Sequence, residues 1–179
     1  MTQTEPHAPP TLDDDTLAFA RGVFQAVRSG DIEHIGDLLR MGLPANLLNE
    51  KGDSLLMLAS YHGHEALVSC LLEHGGDTEL ANDRGQTPLG AAAFKGDIGT
   101  VRLLLDQGAL VDGRGEGGKT ALMIAAMFDR LEIVGLLLDR GADAAVRDGA
   151  GITARAAAQT MGAVQAVDLL DQRAAQASA

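Results

Sequence analysis

Apolar residues recur along the chain in short clusters that alternate with polar, glycine-containing segments. Four glycines mark the pattern at a spacing of 33 residues, namely Gly52, Gly85, Gly118 and Gly151. After each of them come a Ser or Thr, an apolar cluster and a leucine-containing cluster. A period of this length is typical of repeated supersecondary units that bury their apolar sides against one another. The spacing of the apolar residues predicts two helices in each unit.

Polar residues at a fixed place predict where the first helix of each unit begins. A hydroxyl side chain follows two residues after each glycine and can accept hydrogen bonds from free backbone N–H groups. These residues are Ser54, Thr87, Thr120 and Thr153. An alanine recurs seven residues after each glycine and allows neighbouring helices to approach closely. The alanines are Ala59, Ala92, Ala125 and Ala158.

Leucine-rich clusters and further glycines define the second helix and its ends. Apolar runs at 71–72, 103–105, 136–138 and 169–170 are predicted to face the core. Gly75, Gly108 and Gly141 follow three of these runs and can adopt the left-handed conformation that ends a helix. Between the two helices, Gly63 and Gly96 predict a tight turn, and Asp129 stands at the corresponding place in the third unit.

These repeats resemble the ankyrin repeat family over residues 17–173. Its TPLHxAA signature is present in degenerate form at 87–93, which reads TPLGAAA, and its LLLxxGAD signature is present at 136–143, which reads LLLDRGAD. The family's signature His is replaced by Met57, Gly90, Met123 and Ala156. The resemblance implies an all-α solenoid of stacked helix–turn–helix units with β-hairpin-like turns.

The repeat register divides the chain into one domain with two short tails. The signature is degenerate at both ends, as expected for caps that face solvent on one side. Phe19, Arg21 and Gly22 replace turn residues at the start, and Arg155 replaces a family leucine near the end. We expect a capping repeat at 15–49, repeats at 50–82, 83–115 and 116–148, a C-terminal capping repeat at 149–173, and disordered tails at 1–14 and 174–179.

Composition and charge narrow the possible partners. The net charge of −11 opposes binding to nucleic acid or anionic membranes, which would rely on Lys and Arg. Neutral or basic protein surfaces are the expected partners. The single cysteine, Cys70, is interpreted as a core residue, and no apolar run reaches the length of a membrane span. Since the first residues do not resemble a secretory signal, the cytoplasm is the expected compartment. The protein is also expected to be a monomer.

Two patterns suggest ligand sites but have simpler interpretations. Residues 113–120, GRGEGGKT, match the Walker A pattern, yet Gly118 and Thr120 also occupy the turn and cap positions of the repeat. His62, His64 and His74 lie near predicted helix ends without a cluster of acidic residues or cysteines. We therefore expect no cofactor, no metal and no catalytic residues, so the chain is not predicted to be an enzyme.

The resemblance to ankyrin repeats implies a binding surface on the concave face, formed by the hairpin turns and the first helices. Three of the five aromatic residues, Tyr61, Phe94 and Phe128, fall on this predicted surface. Aromatic residues are enriched in interface hot spots. An alternative is that they only cover helix ends and stabilise the stack. The candidate partner-binding residues are Tyr61, His62, Phe94, Lys95, Met127, Phe128, Met161, Asp53, Arg84, Gln86 and Lys119.

The leading hypothesis is an adaptor or accessory protein that binds one protein client through the concave groove. Similarity to short bacterial ankyrin proteins suggests a link to stress defence, such as support of catalase. An acidic inhibitor or decoy that occupies a basic site on an enzyme or nucleic-acid-binding protein is the alternative. A detached regulatory fragment that acts in a larger assembly is a further alternative.

Overall fold

A computed structural model describes residues 13–177, which form a solenoid of ten helices in five consecutive pairs. The pairs are α1 (Asp14–Ser29) with α2 (Ile32–Arg40), α3 (Leu55–His62) with α4 (Glu65–Glu73), α5 (Pro88–Lys95) with α6 (Ile98–Asp106), α7 (Ala121–Met127) with α8 (Leu131–Asp139), and α9 (Ala154–Met161) with α10 (Val164–Ala177). The odd-numbered helices stack into an inner layer and the even-numbered helices into an outer layer. The predicted all-α repeat architecture is confirmed.

The first helix of each repeat begins at the predicted hydroxyl side chain. Ser54, Thr87, Thr120 and Thr153 each accept a hydrogen bond from the backbone N–H three residues later. Gly63 and Gly96 end α3 and α5 in the left-handed conformation. Asp129, with a φ of 54°, is the one non-glycine residue with positive φ among residues 13–177. Its carboxylate accepts a hydrogen bond of 2.7 Å from Ala166 N–H, which offsets the strain of that conformation.

The core lies between the two helical layers and is built from the recurring alanines and leucines. Ala59, Ala92, Ala125 and Ala158 are completely buried in the inner layer, where small side chains allow the helices to pack closely. Each outer helix from α4 onward contributes a buried leucine, at Leu71, Leu104, Leu137 and Leu170. Each such leucine contributes roughly 1.5–3 kcal/mol when fully buried. Cys70 is only half-buried, at the edge of this core.

Hairpin-like turns connect successive pairs and are held by one recurring side chain. Asn49, Asn82 and Asp148 occupy the same register position, and each accepts hydrogen bonds from two N–H groups of its own turn. Each also donates its backbone N–H to the carbonyl four residues later, as in a hairpin. Leu48 and Ser54 form an isolated antiparallel bridge. The turns are therefore β-like without forming a sheet in the described part of the chain.

In the third turn, Gly115 stands in place of this side chain, and the turn packs directly on the backbone of the preceding turn. Gly115 N–H donates to Gly85 O at 3.1 Å. A Cβ on Gly118 would overlap Gly85 O, and a Cβ on Gly115 would lie 2.7 Å from Gly85 Cα. The glycines of the Walker-like segment thus permit close contact between adjacent turns.

Both ends of the helical domain extend beyond the predicted boundaries. Helix α1 begins at Asp14, with Asp13 accepting from Thr16 N–H as its N-cap, so the helix starts one residue before the predicted domain boundary. Helix α10 continues to Ala177, four residues into the predicted tail, because its sequence is rich in the helix former alanine. The rest of both predicted tails, residues 1–12 and 178–179, lies outside the described residues. No helix within residues 13–177 is long and apolar enough to cross a membrane.

Candidate functional site

A groove of about 910 Å³ lies along the inner helices at the N-terminal half of the solenoid. Helices α1, α3 and α5 line it together with the turns at 47–53 and 82–86. Side chains of the inner helices and of the turns therefore line the same space. These are the two kinds of element from which the repeat register predicts the binding surface.

The three predicted aromatic residues form a continuous row along the inner layer. The rings of Tyr61 and Phe94 are stacked with centroids 5.3 Å apart, and Phe94 meets Phe128 edge-on at 4.9 Å. Tyr61 is 45% exposed and Phe128 is 37% exposed, whereas Phe94 is half-buried against the core. Phe94 and Tyr61 line the groove, and Phe128 extends the row beyond it. Such contacts rigidify the rings but leave apolar surface open at both ends.

The predicted binding residues separate into those that line the groove and those that do not. Besides the two aromatic residues, His62, Arg84, Gln86 and Asp53 line it. The others lie outside it: the exposed Lys95 and Met161, the half-buried Met127 and Lys119, and Phe128. The C-terminal part of the predicted surface is therefore not part of the same depression.

The prediction that Asp53 contacts a partner conflicts with its environment. Asp53 is only 8% exposed, and its two carboxylate oxygens accept hydrogen bonds from Asn82 Nδ2 at 2.7 Å and from Asn49 Nδ2 at 3.1 Å. Asn82 belongs to the next turn, so Asp53 joins adjacent repeats. Both oxygens of its carboxylate are already hydrogen-bonded within the protein, and these bonds stabilise the packing of adjacent repeats.

Lys119 is likewise engaged within the protein. Its Nζ lies 2.9 Å from Asp148 Oδ2 in the following turn, and the Asp148 side chain is 2% exposed. Hydrogen bonds from Ile152 N–H and from Lys119 hold the pKa of the Asp148 carboxyl below its usual range. The Walker-like segment has neither a preceding strand nor a long following helix, since α7 has seven residues. Lys119 thus acts as a contact between turns.

The histidines near the first helices also serve the repeat. His64 Nε2 lies 2.9 Å from the carbonyl oxygen of Arg28 and links the first two repeats, and His74 Nδ1 lies 2.8 Å from Cys70 O. His62 stacks against His64 with centroids 6.0 Å apart. No group of three or more His, Cys, Asp or Glu side chains in residues 13–177 is arranged to hold a metal ion.

Two groove residues of α1 were not predicted because the first repeat lacks the family signature. These are Arg21 and Arg28, which line the groove together with Lys51 from the turn of the predicted repeat 50–82. Arg28 occupies the register position of Tyr61 and Phe94, nine residues after the place of the aligned glycine. The repeat register, continued into the capping repeat, therefore also predicts Arg28 as a residue of the groove.

The helix pairs, capped turns and concave groove define a helical repeat protein of the interaction type. A sequence model of the family described as ankyrin repeats (3 copies) matches residues 23–113 and 77–148, and the chain belongs to this family. A Pseudomonas aeruginosa protein described as an ankyrin repeat protein is 54% identical over 55 residues. That match covers 31% of this chain and 32% of the relative. Ankyrin repeats generally serve as protein–protein interaction modules.

Proposed function

We propose that this protein is a cytoplasmic, monomeric adaptor or accessory protein that binds one protein client through its concave groove. The observation that carries the proposal is the row of Tyr61, Phe94 and Phe128, in which aromatic surface remains exposed beside a large groove. Buried aromatic anchors surrounded by polar residues dominate the energy of many protein interfaces. A purely stabilising role would not require two of the three rings to stay more than a third exposed.

The alternative of an acidic decoy would use a different part of the surface. A decoy contacts a basic site through carboxylates, whereas four Lys and Arg side chains line the groove. The acidic surface outside the groove would have to make that contact. The two functions therefore predict sensitivity to different substitutions.

Affinity capture from the native cell tests the proposal with a matched pair of variants. We expect the triple variant Tyr61→Ala/Phe94→Ala/Phe128→Ala to lose a partner that the wild type retains, with each hot-spot ring contributing about 2 kcal/mol to binding. The control is Met41→Ala/Leu110→Ala/Val164→Ala, which removes three exposed apolar side chains that do not line the groove. Retention of the partner by the folded aromatic variant, or its loss only in the control, would contradict the proposal. Circular dichroism establishes that both variants are folded.

A further inference from the structure

The groove carries a charge opposite to that of the whole molecule. Arg21, Arg28, Lys51 and Arg84 line it, and all four side chains are exposed. The chain as a whole has 14 Lys and Arg against 25 Asp and Glu. Only two acidic residues, Glu50 and Asp53, line the same groove. Because both Asp53 oxygens accept hydrogen bonds from asparagine side chains, Glu50 is the exposed carboxylate among them.

Within residues 13–177, the cations of the groove form no ion pair with a carboxylate. Five ion pairs are present among residues 13–177, and their cations are Arg40, Lys119, Arg140, Arg155 and Arg173. None of these five lines the groove. In a strongly acidic protein, cations at random places would meet carboxylates readily. Four cations around one depression, none paired with a carboxylate of the described chain, therefore provide positive potential that a ligand could neutralise.

The side chain of His62, at the edge of the groove, experiences this potential. Burial is the main cause that lowers the pKa of His62, and the nearby charges of His64, Arg28 and Lys95 lower it further. Lys95 stands next to Phe94 at the end of α5, so the positive region continues along the aromatic row. Cations and aromatic rings thus share the same surface.

We propose that the groove binds an acidic, extended segment of the partner protein, with apolar side chains on Tyr61 and Phe94 and carboxylates facing Arg21, Arg28, Lys51 and Arg84. This inference rests on the proposed function and reverses the sequence-based expectation of a neutral or basic partner. Arg and Lys side chains on both walls, from α1 and from the turns, match carboxylates spaced along one peptide. Among polyanions, a peptide is favoured over nucleic acid because the acidic surface outside the groove repels a long phosphate backbone.

Fluorescence anisotropy with three labelled peptides tests the charge requirement directly. The probes are Glu-Glu-Leu-Phe-Glu-Glu, its neutral counterpart with Gln in place of Glu, and its basic counterpart with Lys. We expect the full-length protein to bind the acidic probe about tenfold or more tighter than the neutral one, and the basic probe most weakly. This advantage should shrink when NaCl is raised from about 50 to 300 mM, because screening acts on exposed charges. Equal affinity for the acidic and neutral probes would overturn the proposal.

Two charge-reversal variants test whether affinity for the acidic probe depends on the cations of the groove or only on the net charge of the protein. Arg21→Glu/Arg84→Glu should reduce affinity for the acidic probe about tenfold or more. Arg102→Glu/Arg114→Glu makes the same change in net charge at exposed residues outside the groove and should leave the affinity within about twofold. Equal losses in both variants would overturn the assignment to the groove. All four side chains are exposed, so folding should be retained.

Other occupants of the groove give distinguishable results. Binding of oligothymidylate more tightly than the acidic peptide would assign the groove to nucleic acid and overturn the proposal. A dimer that dissociates in Arg21→Glu/Arg84→Glu, measured by sedimentation, would assign it to a second copy and overturn it as well. If a native partner is captured through the aromatic row but the acidic and neutral probes bind equally, the adaptor function stands and only the acidic specificity fails.

Discussion

At the scale of single residues, Asp148 shows how one carboxylate joins two repeats. Its Oδ1 accepts hydrogen bonds from Ala150 N–H at 3.0 Å and Ile152 N–H at 2.9 Å, and its Oδ2 accepts from Lys119 Nζ. Asn49 and Asn82 make the same turn bonds with an amide oxygen. These three turns therefore share a side-chain acceptor at this position, and at Asp148 the charge serves only the contact with Lys119.

This division of roles predicts different costs for two substitutions. Asp148→Ala should reduce the free energy of unfolding by about 2 kcal/mol, because the part-buried N–H groups of Ala150 and Ile152 lose their acceptor. Asp148→Asn should cost no more than about 1 kcal/mol, because an amide preserves the turn and only a partly exposed ion pair is lost. Urea denaturation of the two variants measures the difference. Equal losses would show that the ion pair, rather than the turn, is the main contribution.

The depressed pKa of Asp148 also gives stability a defined pH dependence. A carboxyl with a lowered native pKa binds fewer protons in the folded state than in the unfolded state. Its contribution is therefore complete above about pH 4 and is lost as the pH falls toward the native pKa. In Asp148→Asn this part of the acid-induced loss should be absent. Denaturation curves of wild type and variant between about pH 6 and 3 should converge at the acid end.

At the scale of elements, contact between neighbouring turns depends on glycine. A Cβ at Gly118 would meet the carbonyl oxygen, carbon and Cα of Gly85, all of them backbone atoms that cannot rotate away. Gly22 in α1 offers the opposite case, since a Cβ there meets nothing within 4 Å. The same substitution should therefore have opposite effects at these two sites.

We expect Gly118→Ala to destabilise the protein by about 3 kcal/mol, because the turns must separate to admit the methyl group. Gly22→Ala should stabilise it by roughly 0.5–1 kcal/mol through its higher helix propensity. Thermal and urea denaturation measure both variants. A neutral Gly118→Ala would show that the turns can move apart freely. In that case the glycine-rich segment would need an explanation other than close packing.

The elements were predictable because local sequence determines them, whereas the groove depends on contacts between repeats. Helix starts at Ser54, Thr87, Thr120 and Thr153 follow from caps and period, which are local signals. The burial of Asp53 depends on Asn82, 29 residues away, and could not be read from its own repeat. The extent of α10 also escaped prediction, because an exposed alanine-rich end carries no stop signal.

At the scale of the whole molecule, the excess of negative charge destabilises the folded state, whereas the cations of the groove favour binding of an acidic peptide. A net charge of −11 on a small protein produces self-repulsion in the compact state. The five ion pairs among residues 13–177 act against this repulsion, but four of them join side chains that are each more than a third exposed. Exposed pairs contribute only about 0–1 kcal/mol each. Repulsion should therefore dominate the response of stability to salt.

Added salt is consequently expected to stabilise the fold while it weakens binding of an acidic peptide. Raising NaCl from about 10 to 200 mM shortens the screening length several-fold, so repulsion among carboxylates falls more than the attraction in a few close pairs. We expect the free energy of unfolding to rise by about 1 kcal/mol and Tm by about 3 °C. Calorimetry at matched pH measures this shift, with Arg102→Glu/Arg114→Glu as a more acidic control that should respond more strongly. A fall in Tm with salt would instead mean that the ion pairs dominate. A uniformly negative surface would repel an acidic peptide, and salt would then strengthen binding. If salt stabilises the fold but weakens peptide binding, the attraction must come from a local positive region such as the groove.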